Sequence, residues 1–274
     1  MPVPAQRPPA PAELVEGLAA LRADPARSAV LLDVDGTLAP IVRHAEDAHV
    51  PEPTRAVLIE VAKRYGTVAC VSGRRAATAR QIVAIGSIAY IGNHGSELLR
   101  PGAREPEIDP EVAAYGRRVR AFAQHAWTEE LHRLRVRAED KDLIAAFHWR
   151  GAPDEAAAES AVREVAESAE ADGFATHWGR KVLEVRPPVA MNKGRGIARL
   201  LQGTELDSAV YAGDDRTDVD AFHGLRAEVA AGRLRQALCV GVRSEETPEP
   251  LEAAADVLVD GPRGVRELLE LLLG

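Results

Sequence analysis

Residues 28–38, Ser-Ala-Val-Leu-Leu-Asp-Val-Asp-Gly-Thr-Leu, constrain this chain more than any other stretch. An apolar run of Val and Leu ends in two carboxylates spaced i, i+2, and Gly36 and Thr37 follow at once. A run that is apolar on both faces predicts a buried parallel strand. Asp33 and Asp35 then fall at its carboxyl end, where open α/β sheets gather their ligands. Two acids this close raise one pKa unless a cation sits between them. Asp-Gly alone also suits an Asx-capped turn, so the rest of the chain has to decide between a turn and a site.

The following residues repeat the pattern. Pro51-Glu-Pro-Thr54 starts a helix to about residue 65, and Gly66 ends it. Residues 67–71 read as a second buried strand closing at Ser72-Gly73-Arg74, a helix covers about 75–83, and a third strand covers 87–91. This βαβαβ order predicts a parallel, doubly wound sheet. Ahead of it, residues 12–22 have helical spacing, and residues 1–11 carry five prolines and are expected to be disordered. From about Pro101 the order changes. A helix over roughly 110–126 precedes strands at 134–138 and 143–149, and a helix over 153–171 precedes strands at 174–178 and 182–185. Paired strands after each helix predict an antiparallel sheet with helices on one face, an α+β module closed by Pro187-Pro188. The doubly wound pattern then resumes with a helix from Lys193 to about 201, a strand over 208–212 ending in Gly213-Asp214-Asp215, and a helix over 217–225. Strands at 237–242 and 257–259 and a helix over 264–273 complete it. The expected organisation is an α/β core of residues 12–100 and 188–274, interrupted by an α+β domain of residues 101–187.

Composition removes several classes of function. A net charge of -8 leaves no basic footprint for nucleic acid. The longest mostly apolar stretch, residues 82–91, is too short to cross a bilayer, and the Pro-rich start lacks the apolar region of a signal peptide. Cys70 and Cys239 sit in apolar runs and read as small buried hydrophobes, with neither a disulfide nor a metal expected. The expected setting is cytoplasmic, and a monomer is favoured. Only four of the 34 basic residues are lysines (63, 141, 181 and 193), and asparagine occurs only at 93 and 192. A lysine kept against so strong an arginine bias points to a need for a compact ammonium.

Four ends of predicted elements carry polar residues: Asp33/Asp35, Ser72, Lys193, and Asp214/Asp215/Asp218. The carboxylates form a hard, oxygen-only set suited to Mg²⁺. Ser72 and Lys193 stand at helix N-termini, where backbone N–H groups favour an anion. A metal, an ammonium, a hydroxyl and helix ends around one point describe a phosphate site with an aspartate as nucleophile. Asp33-Val-Asp35-Gly-Thr37, Val71-Ser72-Gly73-Arg74, Asn192-Lys193-Gly194 and Gly213-Asp214-Asp215-Arg-Thr217-Asp218 resemble, in order and spacing, the four motifs of the haloacid dehalogenase superfamily. Ser72 follows Asp33 by 39 positions, too few for a cap domain, whereas the 121 positions to Lys193 hold the α+β cap of that superfamily's sugar-phosphatase branch.

Finer motifs resemble trehalose-6-phosphate phosphatases: Gly92-Asn93-His94-Gly95, Glu139-x-Lys141, Phe147-His148-Trp149-Arg150, Gly179-Arg180-Lys181-x-x-Glu184, and Gly213 through Phe222. The family commonly has Glu at the place of Val219 and Tyr at the place of Trp149. The resemblance implies a haloacid dehalogenase-like (HAD-like) core and a Mg²⁺-dependent phosphatase acting on a small sugar phosphate. It implies Asp33 as nucleophile and Asp35 as acid and base. The metal would be held by Asp33, Asp35 through its backbone, and Asp214, with Asp218 in support. Thr37, Ser72, Gly73, Arg74 and Lys193 would hold phosphate, and Asn93, His94, Glu139, Lys141, Lys181 and Glu184 would hold the sugar. Lys181 and Glu184 would point to opposite faces of a single strand, so one of them is expected in a turn. Two rivals stand beside this reading: the same chemistry on another disaccharide or glycosyl-glycerate phosphate, and a phosphosugar-binding regulator with no turnover.

Overall fold

The computed structural model describes residues 12–42, 45–189, 191–245 and 247–274. The expected disorder of residues 1–11 lies outside the described residues. Contacts divide the chain into two compact units, one of residues 1–106 with 192–274, the other of residues 107–191. The strands in chain order are β1 (Ser28–Asp33), β2 (Thr67–Val71), β3 (Ala89–Gly92) and β4 (Glu97–Leu99), then β5 (Glu107–Ile108). The second unit adds β6 (Arg137–Asp140), β7 (Ala145–His148), β8 (Ala175–Gly179) and β9 (Val182–Arg186). The first unit resumes with β10 (Ser208–Gly213), β11 (Gln236–Arg243) and β12 (Val257–Asp260).

In the first unit the strands lie in the order β12-β11-β10-β1-β2-β3-β4. All pairs are parallel except β3 with β4. The strand β1 sits near the middle, and its side chains alternate between two apolar layers. Val30 and Leu32 join Leu58, Val61, Leu268 and Leu269 on one side, and Ala29 and Leu31 join Ile197, Phe222 and Leu225 on the other. Helices Glu52–Arg64 and Gly261–Leu273 cover the first face, and Lys193–Leu201 and Asp218–Ala230 cover the second. Burial on both faces is why the run reads as continuously apolar. Each fully buried Leu contributes roughly 1.5–3 kcal/mol. The sheet is the doubly wound one expected, with differences at its margins. The helix over 12–22 is two short pieces, Ala12–Gly17 and Ala19–Ala23. The antiparallel β4 and the helix Glu249–Ala254 were not foreseen, and the helix over 217–225 continues to Ala230.

In the second unit an antiparallel sheet has the order β6-β7-β9-β8. Phe147, Leu183 and Val185 pack against Val119, Phe122, Val162 and Val165 of the helices Gly116–Ala126 and Glu155–Ala171. The strand expected at 134–138 lies at Arg137–Asp140 instead. A short helix, Glu129–Arg133, precedes it, with Thr128 Oγ1 accepting from Leu131 N at 3.3 Å, and Arg135 turns the chain with φ 60°. The single helix expected over 110–126 is two, Pro110–Ala113 and Gly116–Ala126.

Candidate active site

Register aligns the polar ends of the central strands. Asp33 lies opposite Val71, and Leu32 lies opposite Ala212. Ser72 and Asp214, which follow β2 and β10, therefore emerge at the rim where β1 ends. The reverse side is supplied by helix Lys193–Leu201, capped by Asn192, whose side chain accepts from Arg195 N at 2.8 Å. Lys193 is 2% exposed. Its Nζ donates to Asp33 Oδ1 and to Asp218 Oδ1, both at 2.6 Å, and lies 4.0 Å from Asp215 Oδ1. Tyr211 Oη also donates to Asp218 Oδ1 at 2.5 Å, and Asp215 N donates to Asp218 Oδ2 at 2.9 Å. Both oxygens of Asp218 are thus engaged by the protein. Thr37 Oγ1 donates to Asp214 Oδ1 at 3.1 Å. Gly36, at φ +86°, leaves room for Asp214: a Cβ there would land on its carboxylate.

The charges of this cluster do not balance. Burial alone would discharge Lys193, but Asp218, Asp33 and Asp215 outweigh it and hold the ammonium well above its ordinary pKa. Burial pushes the Asp33 carboxyl well up; Lys193 pulls it down, while Asp218, Asp214 and Asp215 push it up again. Asp214 is pushed up to about 7, chiefly by burial, then by Asp218 and Asp215. Asp33, Asp214 and Asp218 each offer an oxygen within 4.8 Å of the others. Three buried carboxylates that share one ammonium, with oxygen as the only donor type, fit a hard divalent cation.

The other half of the predicted constellation is present in an unexpected pairing. Arg74 grips Asp35 with two hydrogen bonds, Nε to Oδ2 and Nη2 to Oδ1, each 2.7 Å. The Asp35 carboxylate therefore lies outside the acidic cluster, and Arg74, expected on phosphate, holds the expected acid and base. Ser72 is buried, and its Oγ accepts from Arg74 N at 3.1 Å. The His94 ring lies over Gly73, close enough that a Cβ there would strike it. Asn93 is fully buried and donates from Nδ2 to Glu97 Oε1 at 2.6 Å, while Glu97 Oε2 accepts from Ala76 N at 2.7 Å. Asn93 thus ties the turn after β3 to the helix Ala76–Val83 through Glu97. Glu97 and Tyr211 were both missed. A Glu two residues beyond a Gly-flanked turn, and a Tyr inside an apolar strand, were the available signals.

In the second unit the four cap residues separate into three pairings. Register sets Glu139, Ala146, Glu184 and His177 in one row across the sheet, on the face opposite the helices. Glu139 Oε2 meets His148 Nε2 at 2.9 Å, a bond that holds its carboxyl below the usual range. Lys141 Nζ donates to Glu184 Oε1 at 2.8 Å, and Arg186, also missed, grips Glu184 Oε2. Lys181 stands apart. It occupies the turn between β8 and β9 at φ 63°, and its Nζ reaches Glu155 Oε2 at 2.5 Å. Trp149 is buried in this unit's core, edge-on to Trp178, and Val219 packs against the core of the first unit.

Residues 31–255 match the sequence profile of the trehalose-phosphatase family. The chain belongs to that family. It is 31% identical over 261 residues to trehalose 6-phosphate phosphatase RA3 of Zea mays, covering 89% of this chain and 69% of that protein. It is 32% identical over 208 residues to an uncharacterized glycosyl hydrolase of Mycobacterium tuberculosis, where it covers 73% of this chain and spans only 15% of the relative's length. Among solved structures, trehalose-6-phosphate phosphatase of Aspergillus fumigatus superposes with a TM-score of 0.63 at 25% identity, over 95% of this chain and 96% of that one. A haloacid dehalogenase-like hydrolase of Bacteroides thetaiotaomicron shares the fold, with a TM-score of 0.61 at 14% identity over 89% of this chain and 98% of that one. Phosphatases of this family and fold imply a divalent metal, and Asp33, Asp214 and Asp218 are the acids able to hold it.

Proposed function

We propose that this protein is a Mg²⁺-dependent phosphatase that hydrolyses trehalose-6-phosphate to trehalose and phosphate. The observation that carries the reading is the buried Lys193, fixed between Asp33 and Asp218 in a cluster short of positive charge, in a chain of the trehalose-phosphatase family. Mg²⁺, held by Asp33, Asp214 and the Asp35 backbone with Asp218 in support, would keep Asp33 ionised and offset phosphate charge. Asp33 attacks phosphorus; an aspartyl–phosphate bond forms as the bond to the sugar oxygen breaks, and Asp35 gives that oxygen a proton. Asp35 then takes a proton from water, whose oxygen attacks phosphorus and releases Asp33 and inorganic phosphate. Arg74 leaves Asp35 to bind phosphate, and Lys193, Ser72, Gly73 and Thr37 complete the anion site.

Selection of the sugar falls to the second unit, acting as the cap. Glu139, Lys141 and Glu184 present charged hydrogen-bonding groups, and a substrate lacking the matching hydroxyls would leave them unpaired. His94 and Lys181 join them, Lys181 by leaving Glu155. We take the setting to be cytoplasmic and the protein monomeric, in keeping with a pI of about 5.6 and two unpaired cysteines. No described helix is long and apolar enough to cross a membrane. Phosphate release from a panel of sugar phosphates with Mg²⁺ tests the reading. Trehalose-6-phosphate should give the highest kcat/KM. Preference for another disaccharide or glycosyl-glycerate phosphate would overturn the substrate, and no release from any of them would favour the binding regulator.

A further inference from the structure

The second unit has an open sheet edge that, apart from Glu139, takes no part in the proposed hydrolysis. The strand β6 is an edge: its only neighbour in the sheet is β7. All four of its residues are exposed. Ala138 pairs with Phe147 and so lies on the face that packs against the helices, yet it too is open. A groove of about 1010 Å³ runs between this edge and the helix Gly116–Ala126. Val136, Ala138 and Phe147 supply apolar lining, and Arg120, Arg135, Arg137 and the 38% exposed Trp127 line it as well.

The three guanidiniums have no carboxylate partner among the described residues. At the other edge of the sheet, by contrast, Arg163 meets Glu159 and lies 5.1 Å from the Trp178 ring centroid. The carboxylates of Glu139 and Asp140 also line the groove and keep their charge, so with Arg150 the lining carries four guanidiniums against two carboxylates. Glu139 is bound to His148, and Asp140 Oδ1 accepts from Asp142 N at 2.7 Å. On a chain of net charge -8, a groove lining with a surplus of positive charge favours an acidic ligand.

We propose that this groove docks an extended, acidic segment of another protein, which adds to the sheet beside β6 as a fifth strand. Strand addition uses the unpaired backbone groups of the edge, and alternate side chains supply specificity. Apolar residues of the segment would cover the exposed Ala138 and Trp127, and its acids would meet Arg120, Arg135 and Arg137. A small phosphate would leave the apolar lining and the edge backbone unused. A second copy of this chain would bring its own Arg120 and Arg135 towards the same cations.

The test is fluorescence anisotropy with a labelled eight-residue peptide of alternating Val and Glu, titrated with the full chain. Micromolar binding is expected, weakened at least about tenfold in the Arg120→Glu, Arg137→Glu double variant and by raised salt. Hydrolysis of p-nitrophenyl phosphate by that variant should be unchanged; if it falls, Arg120→Gln with Arg137→Gln is read in its place. The same peptide N-methylated at alternate residues should not bind. No binding up to about 1 mM, roughly the weakest affinity the assay reads, would overturn the proposal. So would equal binding of the N-methylated peptide, indifference to the substitutions, or equal competition by tripolyphosphate, the mark of a small-anion site. Sedimentation showing a dimer that Arg137→Glu dissolves would assign the edge to a second copy.

Discussion

Lys193 in the first unit and Glu184 in the second are both buried ions, and they are neutralised in opposite senses. Lys193 has two carboxylates at 2.6 Å and a third within 4.0 Å, with Asp214 beside them, so its surroundings carry surplus negative charge. Glu184 is flanked by Lys141 and Arg186, so its surroundings carry surplus positive charge. The first arrangement is completed by a cation. The second, one carboxylate between two cations, needs no added cation and in the proposed function would exchange partners with sugar hydroxyl groups. The difference also separates rigidity from adaptability. Lys193 is held at the start of a helix packed on the central sheet, whereas Lys141 follows an edge strand.

The largest expected effect lies on the core side. Asp33→Asn would remove the proposed nucleophile while nearly preserving size, and turnover should fall by at least about 10⁴-fold on both trehalose-6-phosphate and p-nitrophenyl phosphate. Excess EDTA should silence both substrates as well, with recovery on added Mg²⁺. Retained activity in either experiment would remove the distinction between a chemical unit and a reading unit.

The next effect should discriminate between substrates. Glu184→Gln keeps the packing beside Lys141 and Arg186 while removing the charge, and Glu139→Ala frees His148. Each should lower kcat/KM for the sugar phosphate by about 10²-fold and leave p-nitrophenyl phosphate nearly untouched. An equal loss on both substrates would make these residues structural. Glu184→Ala is the poorer probe, because two cations left beside an empty space cost about 3–5 kcal/mol of stability.

A smaller effect concerns pH and belongs to the core alone. Asp214 titrates near 7 in the metal-free fold, above its unfolded value, so the native state binds the extra proton between those two values. Stability of the metal-free protein should therefore fall as pH rises from about 4 to 7. Mg²⁺ should raise Tm most at the upper end of that range, and a Tm independent of both pH and Mg²⁺ would contradict the charge deficit. The smallest effect is at the cysteines. Burial pushes the Cys70 thiol far up and Cys239 up to about 12, so native protein should resist iodoacetamide at pH 8 until it is unfolded.

The doubly wound sheet was readable because β1, β2 and β10 are apolar on both faces and punctuated by Gly and Asp. The candidate core residues were readable because chemistry of this kind sits at strand ends, where the apolar run must stop. The insert was harder to read. Its helices and strands are short, and residues 129–135 hold a capped turn where periodicity suggested the start of a strand.

What the sequence by itself determined is the alternating order of strands and helices, the interruption by a second module, and the candidate chemistry of Asp33, Asp35, Lys193 and Asp214. These follow from local patterns of apolar runs, glycines and carboxylates. What only the tertiary structure decided is pairing. Arg74 closes on Asp35, Asn93 turns inward to Glu97, Tyr211 joins Asp218, and Lys181 reaches Glu155. A side chain's partner is set by strand register and helix placement across distances of up to 209 positions, as for Arg64 with the Leu273 carbonyl. No spacing along the chain encodes that distance, because burial selects whichever donor and acceptor the packed backbone brings within about 3 Å of each other.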